Sequence, residues 1–124
     1  MAAEALGSES DRGAIIFAAS LVAESLEAMI RANLRNDPTT VKNIVNPMFD
    51  GLGPLATFSA QIKLAYSMKL ICKEAFDALE LLRKLRNAFA HEPRPLNLDS
   101  DAIRPRFVAF ANLFRSIGAS CFYD

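Results

Sequence analysis

The sequence predicts an all-α protein, a bundle of four main helices plus a short one. Three observations carry this. No segment alternates apolar and polar residues with a period of two, so no strand is expected. Several segments instead repeat apolar residues three and four apart, the spacing that lays a stripe along one helix face. Short breaks rich in Pro, Gly, Asp or Asn separate them, of the lengths that join antiparallel helices.

Residues 1–7 are small and Ala-rich with nothing to anchor them, and read as a disordered tail ahead of one helical domain at 8–124. Ser8 or Ser10 can cap the first helix. Its stripe is Ile15, Ala18, Ala19, Val22, Leu26, Met29 and Ile30, with Glu24, Glu27 and Arg31 on the other side. It should run to about Leu34. Asp37 and Pro38 then supply the cap and first residue of a short helix, which Asn46-Pro47 should end. Gly51 and Gly53 give the following loop freedom for a tight turn.

A third helix carries Leu55, Phe58, Ile62, Ala65 and Tyr66 on one face and breaks near Leu70. The fourth, about 73–90, carries Ala75, Leu79, Leu82, Leu85 and Phe89, and Pro93 and Pro95 fix its end. Asp99 and Ser100 offer caps for a last helix with Phe107, Phe110, Ala111, Phe114 and Ile117 on its stripe, and Gly118 as its stop.

At 124 residues the chain is one domain by length, large enough to bury a core without disulfides or metal. Its 14 basic and 14 acidic residues cancel. That argues against non-specific nucleic-acid binding by the whole surface and permits self-association, as in a homodimer. Cys72 and Cys121 are too few for a disulfide scaffold and read as buried thiols in a reducing cytoplasm. The start of the chain has no basic n-region, and no run of about 18 apolar residues is evident, so neither a signal peptide nor a membrane span is expected. His91 is the only histidine and there is no Cys-x-x-Cys, so no metal and no cofactor is expected. The Gly51–Gly53–Pro54 loop lacks the Gly-Lys-Ser/Thr ending of a phosphate loop. Thr57 reads as a helix cap, and neither it nor Ser59 has the local context of a nucleophile.

At about 100° per residue the fourth helix puts Asp77, Glu80, Lys84 and Asn87 on its polar side. Arg86 does not join them: it projects between Ala75 and Leu79, inside the apolar arc. A buried arginine costs several kcal/mol, on the order of the penalty for any buried ion, unless paired. It should therefore find a carboxylate or lie at an interface or cleft. Asp11 projects onto the core face of the first helix and is the best candidate, giving an Asp11–Arg86 ion pair. Arg83, Asn87 and His91 are spaced by four and form an outward stripe. Arg83, Lys84, Arg94, Arg104 and Arg106, with Arg86, outnumber Glu92, Asp99 and Asp101 and offer a nucleic-acid or partner surface, although a solvated helix end looks the same.

The segments ESDRG at 9–13, FDGLGPLATFSAQIKLAYSMKLI at 49–71 and LRKLRNAFAH at 82–91 resemble the mannitol operon repressor family. The resemblance covers roughly residues 9–117. It implies an all-helical bacterial transcriptional regulator without a recognisable helix-turn-helix. The hexapeptide from Arg86 to His91 also resembles the R-N-x-x-x-H signature of HEPN domains, four-helix bundles that are often dimeric and often metal-independent ribonucleases. By that second resemblance His91 would act as general acid or base, Arg86 would stabilise charge on the phosphorane, and Asn87 would hold the geometry. The first reading is a non-enzymatic regulator acting through protein partners or as an oligomer. The alternative is a HEPN-type ribonuclease or an inactive relative. Direct contact with DNA or RNA is left open.

Overall fold

The computed structural model describes the backbone of residues 2–91 together with Arg104, Pro105 and Val108, and the side chains among these from Asp11 onward. The described residues are helical, without strands, as the periodicity requires. Five α-helices follow in order: α1 (Ala2–Arg31), α2 (Pro38–Thr40), α3 (Asn46–Phe49), α4 (Phe58–Ser67) and α5 (Lys73–His91), with a π-helical stretch, Val41–Val45, joining α2 to α3. Of the expected last helix, Arg104, Pro105 and Val108 are described and helical, while Phe107, Phe110, Phe114 and Ile117 lie outside the described residues.

Helix α1 begins at Ala2, ahead of both serines and within the segment expected to be a tail. The run from Ala2 to Leu6 is built of strong helix formers. The helix ends at Arg31 rather than Leu34. The N–H of Leu34 turns back to the Arg31 carbonyl, and Asn33 Nδ2 donates to the Met29 carbonyl, so the last turn closes on itself.

Asp37 and Pro38 take their expected places. Asp37 Oδ2 accepts from the Thr40 N–H at 3.1 Å and from the Thr40 hydroxyl at 2.6 Å. Asn46-Pro47, however, does not end this piece. The chain widens into the π turn, where the Asn46 N–H reaches back five residues to the Val41 carbonyl. Pro47, which has no N–H to donate, then sits in the first turn of α3, where none is needed.

Gly51 has a left-handed φ of 58°. Gly53 is needed for a different reason: a Cβ there would overlap the carbonyl oxygens of Pro47 and Met48. This close approach lets the Leu55 N–H reach the Met48 carbonyl at 2.8 Å and clip the loop to α3. Thr57 caps α4 by accepting from the Ala60 N–H at 3.1 Å, so Leu55 precedes the helix rather than belonging to its face.

Helix α4 ends in a Schellman motif. Lys69 sits in the left-handed region with φ 64°; its N–H goes to the Tyr66 carbonyl, and the Leu70 N–H goes to the Ala65 carbonyl. Leu70 and Ala65 are both buried, giving the apolar contact that accompanies this cap. Cys72 then opens α5, its Sγ accepting from the Ala75 N–H. Cys72 is disulfide-bonded, which corrects the free thiol expected of it; Cys121 lies outside the described residues.

α1, α4 and α5 pack on one another. The core joins Leu26 and Ile30 of α1, Val45 and Phe49, Phe58, Ile62 and Ala65 of α4, Leu70 and Ile71, and Ala75 and Leu79 of α5. Ala19, Ala65 and Ala75 are fully buried, and their small side chains bring the helices close.

Two expectations for α1 need correction. Ala18 is exposed rather than part of the core stripe. The segment Asp11–Arg31 also contains an 18-residue window of mean hydropathy 1.7, long and apolar enough by length and composition to cross a membrane. Its few charges, Glu24 and Glu27 among them, are too sparse to lower the mean, which a search for an uninterrupted apolar run misses. A core helix of a soluble protein meets the same criterion; this one buries Ile15, Ala19, Leu26 and Ile30, but only 22% of the apolar window is buried.

Candidate functional site

The segment singled out by the sequence forms the last turns of α5. Leu82, Leu85 and Phe89 are buried and anchor it from one side. Arg86 lies within the same arc, as projected, and is half-buried. Its guanidinium carbon stands 5.3 Å from the centroid of the Phe58 ring, and Nη2 donates to Asn87 Oδ1 at 3.1 Å. The cation is accommodated by an aromatic face and a neutral amide. Among the described residues the ion pairs are Arg31–Glu27, Arg35–Asp37, Lys73–Asp77 and Arg83–Glu80. The expected Asp11–Arg86 pair is not one of them; Asp11 is half-buried and has an interaction of its own.

The outward stripe separates into parts. His91 is exposed on the final turn of α5. Asn87 is half-buried and turned to Arg86. Arg83 is half-buried and bound to Glu80 at 2.7 Å. Glu80 Oε1 and Arg83 Nε are buried without a hydrogen-bond partner, so this pair is a packed feature rather than a solvated one. The structure therefore couples Arg86 to Asn87 and Arg83 to Glu80, and leaves His91 at the surface.

Of the proposed nucleic-acid or partner surface, Lys84 is exposed, Arg83 is occupied by Glu80, and Arg104 is exposed with an interaction of its own. Arg94 and Arg106 lie outside the described residues. Among the described residues no group of three or more His, Cys, Asp or Glu side chains is placed to hold a metal ion.

A second arginine was not anticipated. Arg31, placed by the wheel on the polar side of α1, donates through Nε to Glu27 at 2.9 Å and through Nη1 to Asn46 Oδ1 at 2.8 Å. Its guanidinium lies 4.4 Å from the centroid of the Phe49 ring. It ties the end of α1 to α3, fifteen residues later. The only local signal is Glu27, four residues before it; the longer-range partners depend on the turn between the helices.

The model of a family described as mannitol repressor matches residues 4–118. The chain belongs to the mannitol repressor family. Two curated relatives, each called mannitol operon repressor and from two Escherichia coli strains, are 32% identical over 92 residues, covering 74% of this chain and 47% of each relative. The match thus spans about half the length of those relatives. No solved structure matches the chain. The family match takes in α1 through α5, so Arg31, Gly53 and Arg86 all lie within the part shared with mannitol repressors.

Proposed function

We propose that this protein is a non-enzymatic transcriptional regulator of the mannitol-repressor kind, acting through protein contacts rather than by reading base edges. The observation that carries the reading is the family match over residues 4–118, with relatives called mannitol operon repressor. The emphasis on protein contacts rests on charge. Equal numbers of acidic and basic residues leave no overall field to hold a polyanion. Within the basic segment, Arg83 is bound to Glu80 and Arg86 is committed to Phe58 and Asn87. Base readout needs free side chains on a helix that enters the major groove.

A gel-shift titration on DNA upstream of the neighbouring genes, at low and moderate salt, tests this. The purified chain alone is expected to give no sequence-specific shift. A specific shift that survives competitor DNA would overturn the partner-mediated part of the proposal.

A second reading is the HEPN-type ribonuclease or its inactive relative. The observation in its favour is that Arg86 has no carboxylate partner among the described residues, and exposed His91 follows five residues later. On that reading Arg86 would meet a phosphate and His91 would move the proton. Metal-free cleavage of RNA by the wild type, lost in a folded His91→Ala variant, would support it.

A further inference from the structure

We propose that Cys72 and Cys121 form a reversible disulfide, opened and closed by exchange with a small thiol, with Cys72 as the sulfur that leaves first. The inference does not depend on the regulatory reading above.

Cys72 is disulfide-bonded, and Cys121 is the one other cysteine in the sequence. Within one chain the bond can only join these two. It ties the junction between α4 and α5 to the fourth residue from the chain's end.

Three features of Cys72 distinguish this bond from a sealed structural one. Cys72 is half-buried and packs against the core from its edge, which leaves the sulfur approachable. It also opens α5. Its carbonyl accepts from the Phe76 N–H at 3.0 Å, and its Sγ accepts from the Ala75 N–H at 3.4 Å. The sulfur therefore caps the positive end of a helix of 19 residues. An N–H and a helix dipole that meet a disulfide sulfur hold a thiolate more strongly, and a stabilised thiolate leaves faster. Lys73, the cation beside it in the sequence, is already bound to Asp77 at 2.6 Å. Third, the junction does not need the bond to keep its shape. Leu70, Ile71 and Ala75 around Cys72 are buried in the core, and the Schellman cap at Lys69 fixes the chain just before it.

Glutathione serves as the small thiol. Its thiolate attacks Cys121 Sγ, the S–S bond breaks, and the electron pair leaves on Cys72 Sγ. A second glutathione thiolate attacks the mixed disulfide, forms glutathione disulfide and frees the Cys121 sulfur. Two glutathiones are oxidised, the protein bond takes up two electrons, and the two glutathione protons end on the cysteine thiols. Glutathione disulfide drives the same steps in reverse. Opening removes the covalent tie and leaves α1, α4 and α5 packed.

The test uses the full chain under native conditions. In excess reduced glutathione, two thiols per chain should become reactive to a maleimide. Excess oxidised glutathione should return the count to zero, at single-chain mass on a non-reducing gel. Helical circular dichroism should be the same in both states. The open state should melt lower by on the order of 10 °C, because the bond restricts the unfolded chain. Cys121→Ser should melt with the reduced wild type. Partial reduction quenched with acid should place glutathione on Cys121. A bond that opens only after unfolding in urea would overturn the proposal, as would thiols that stay reactive in oxidised glutathione. A link at twice the single-chain mass, a Cys121→Ser variant that melts with the oxidised wild type, or glutathione trapped on Cys72 would each overturn it as well.

Discussion

Arg86 holds its guanidinium carbon 5.3 Å from the centroid of the Phe58 ring while donating to Asn87 at 3.1 Å. The contact crosses from the end of α5 to the start of α4. It gives the oddest charge in the sequence a structural role: a cation inside an apolar arc, held by a ring face and able to keep part of its hydration. Arg86→Ala should cost about 1–2 kcal/mol, from the cation–π contact and the packing of the aliphatic stem. Arg86→Met keeps the stem and should cost less. Urea unfolding of the two variants beside the wild type measures both. Equal stability of all three would show that Arg86 is not a lock.

The two glycines after α3 should respond differently to alanine. Gly51→Ala puts a side chain at φ 58° but in open space, and should cost about 1–2 kcal/mol. At Gly53 the added Cβ overlaps the backbone carbonyls of Pro47 and Met48, which no side-chain rotation relieves. Gly53→Ala should therefore cost more than Gly51→Ala, roughly 3 kcal/mol or above. Thermal unfolding of the pair checks the order.

Lys69 occupies the position in a Schellman cap that favours glycine, at φ 64°. Lys69→Gly removes the strain of a Cβ in the left-handed region and should stabilise the protein by up to about 1 kcal/mol. The Leu70 N–H bond to the Ala65 carbonyl should persist, and hydrogen exchange at Leu70 should slow. A loss of stability would mean that the Lys69 side chain contributes more than its backbone costs.

Asp37 sets an acid limit. The Thr40 hydroxyl and then the Thr40 N–H hold its carboxyl below the ordinary value of 3.8. A depressed folded-state pKa contributes stability that is fully present above the unfolded value and is lost as pH falls through the folded one. The contribution of Asp37 should therefore disappear on acidification below about pH 3.8. Asp37→Asn should flatten this part of the stability–pH curve, as read by unfolding at a series of acidic pH values.

Much of this was legible in the sequence because it is local. The Asp37 and Thr57 caps, the break near Leu70 and the apolar arc of α5 all depend on residues within a turn or two, and each is found where expected. Arg86 stood out for the same reason: a charge at 100° periodicity among leucines needs no tertiary information. Its partner did depend on tertiary structure. Phe58 looked like an ordinary core residue, and an aromatic face leaves no charge signal to search for. Pro47 was read as a stop because the rule for proline assumes α geometry; the preceding π turn changes which N–H groups are needed. On α1, Ala18 is apolar and falls at helical spacing beside the stripe, yet it is exposed, as are Phe17 and Leu21, which lie off the stripe. Hydropathy states that a helix is apolar, and not which of its faces the rest of the chain covers.

The central claim is regulation without catalysis. It is tested most directly by the transcript level of the neighbouring genes in a strain lacking this chain, complemented with wild type or with His91→Ala. Deletion should raise the transcripts, and both forms should lower them again. Transcripts unchanged by deletion would contradict the account, as would repression restored by wild type but not by a folded His91→Ala.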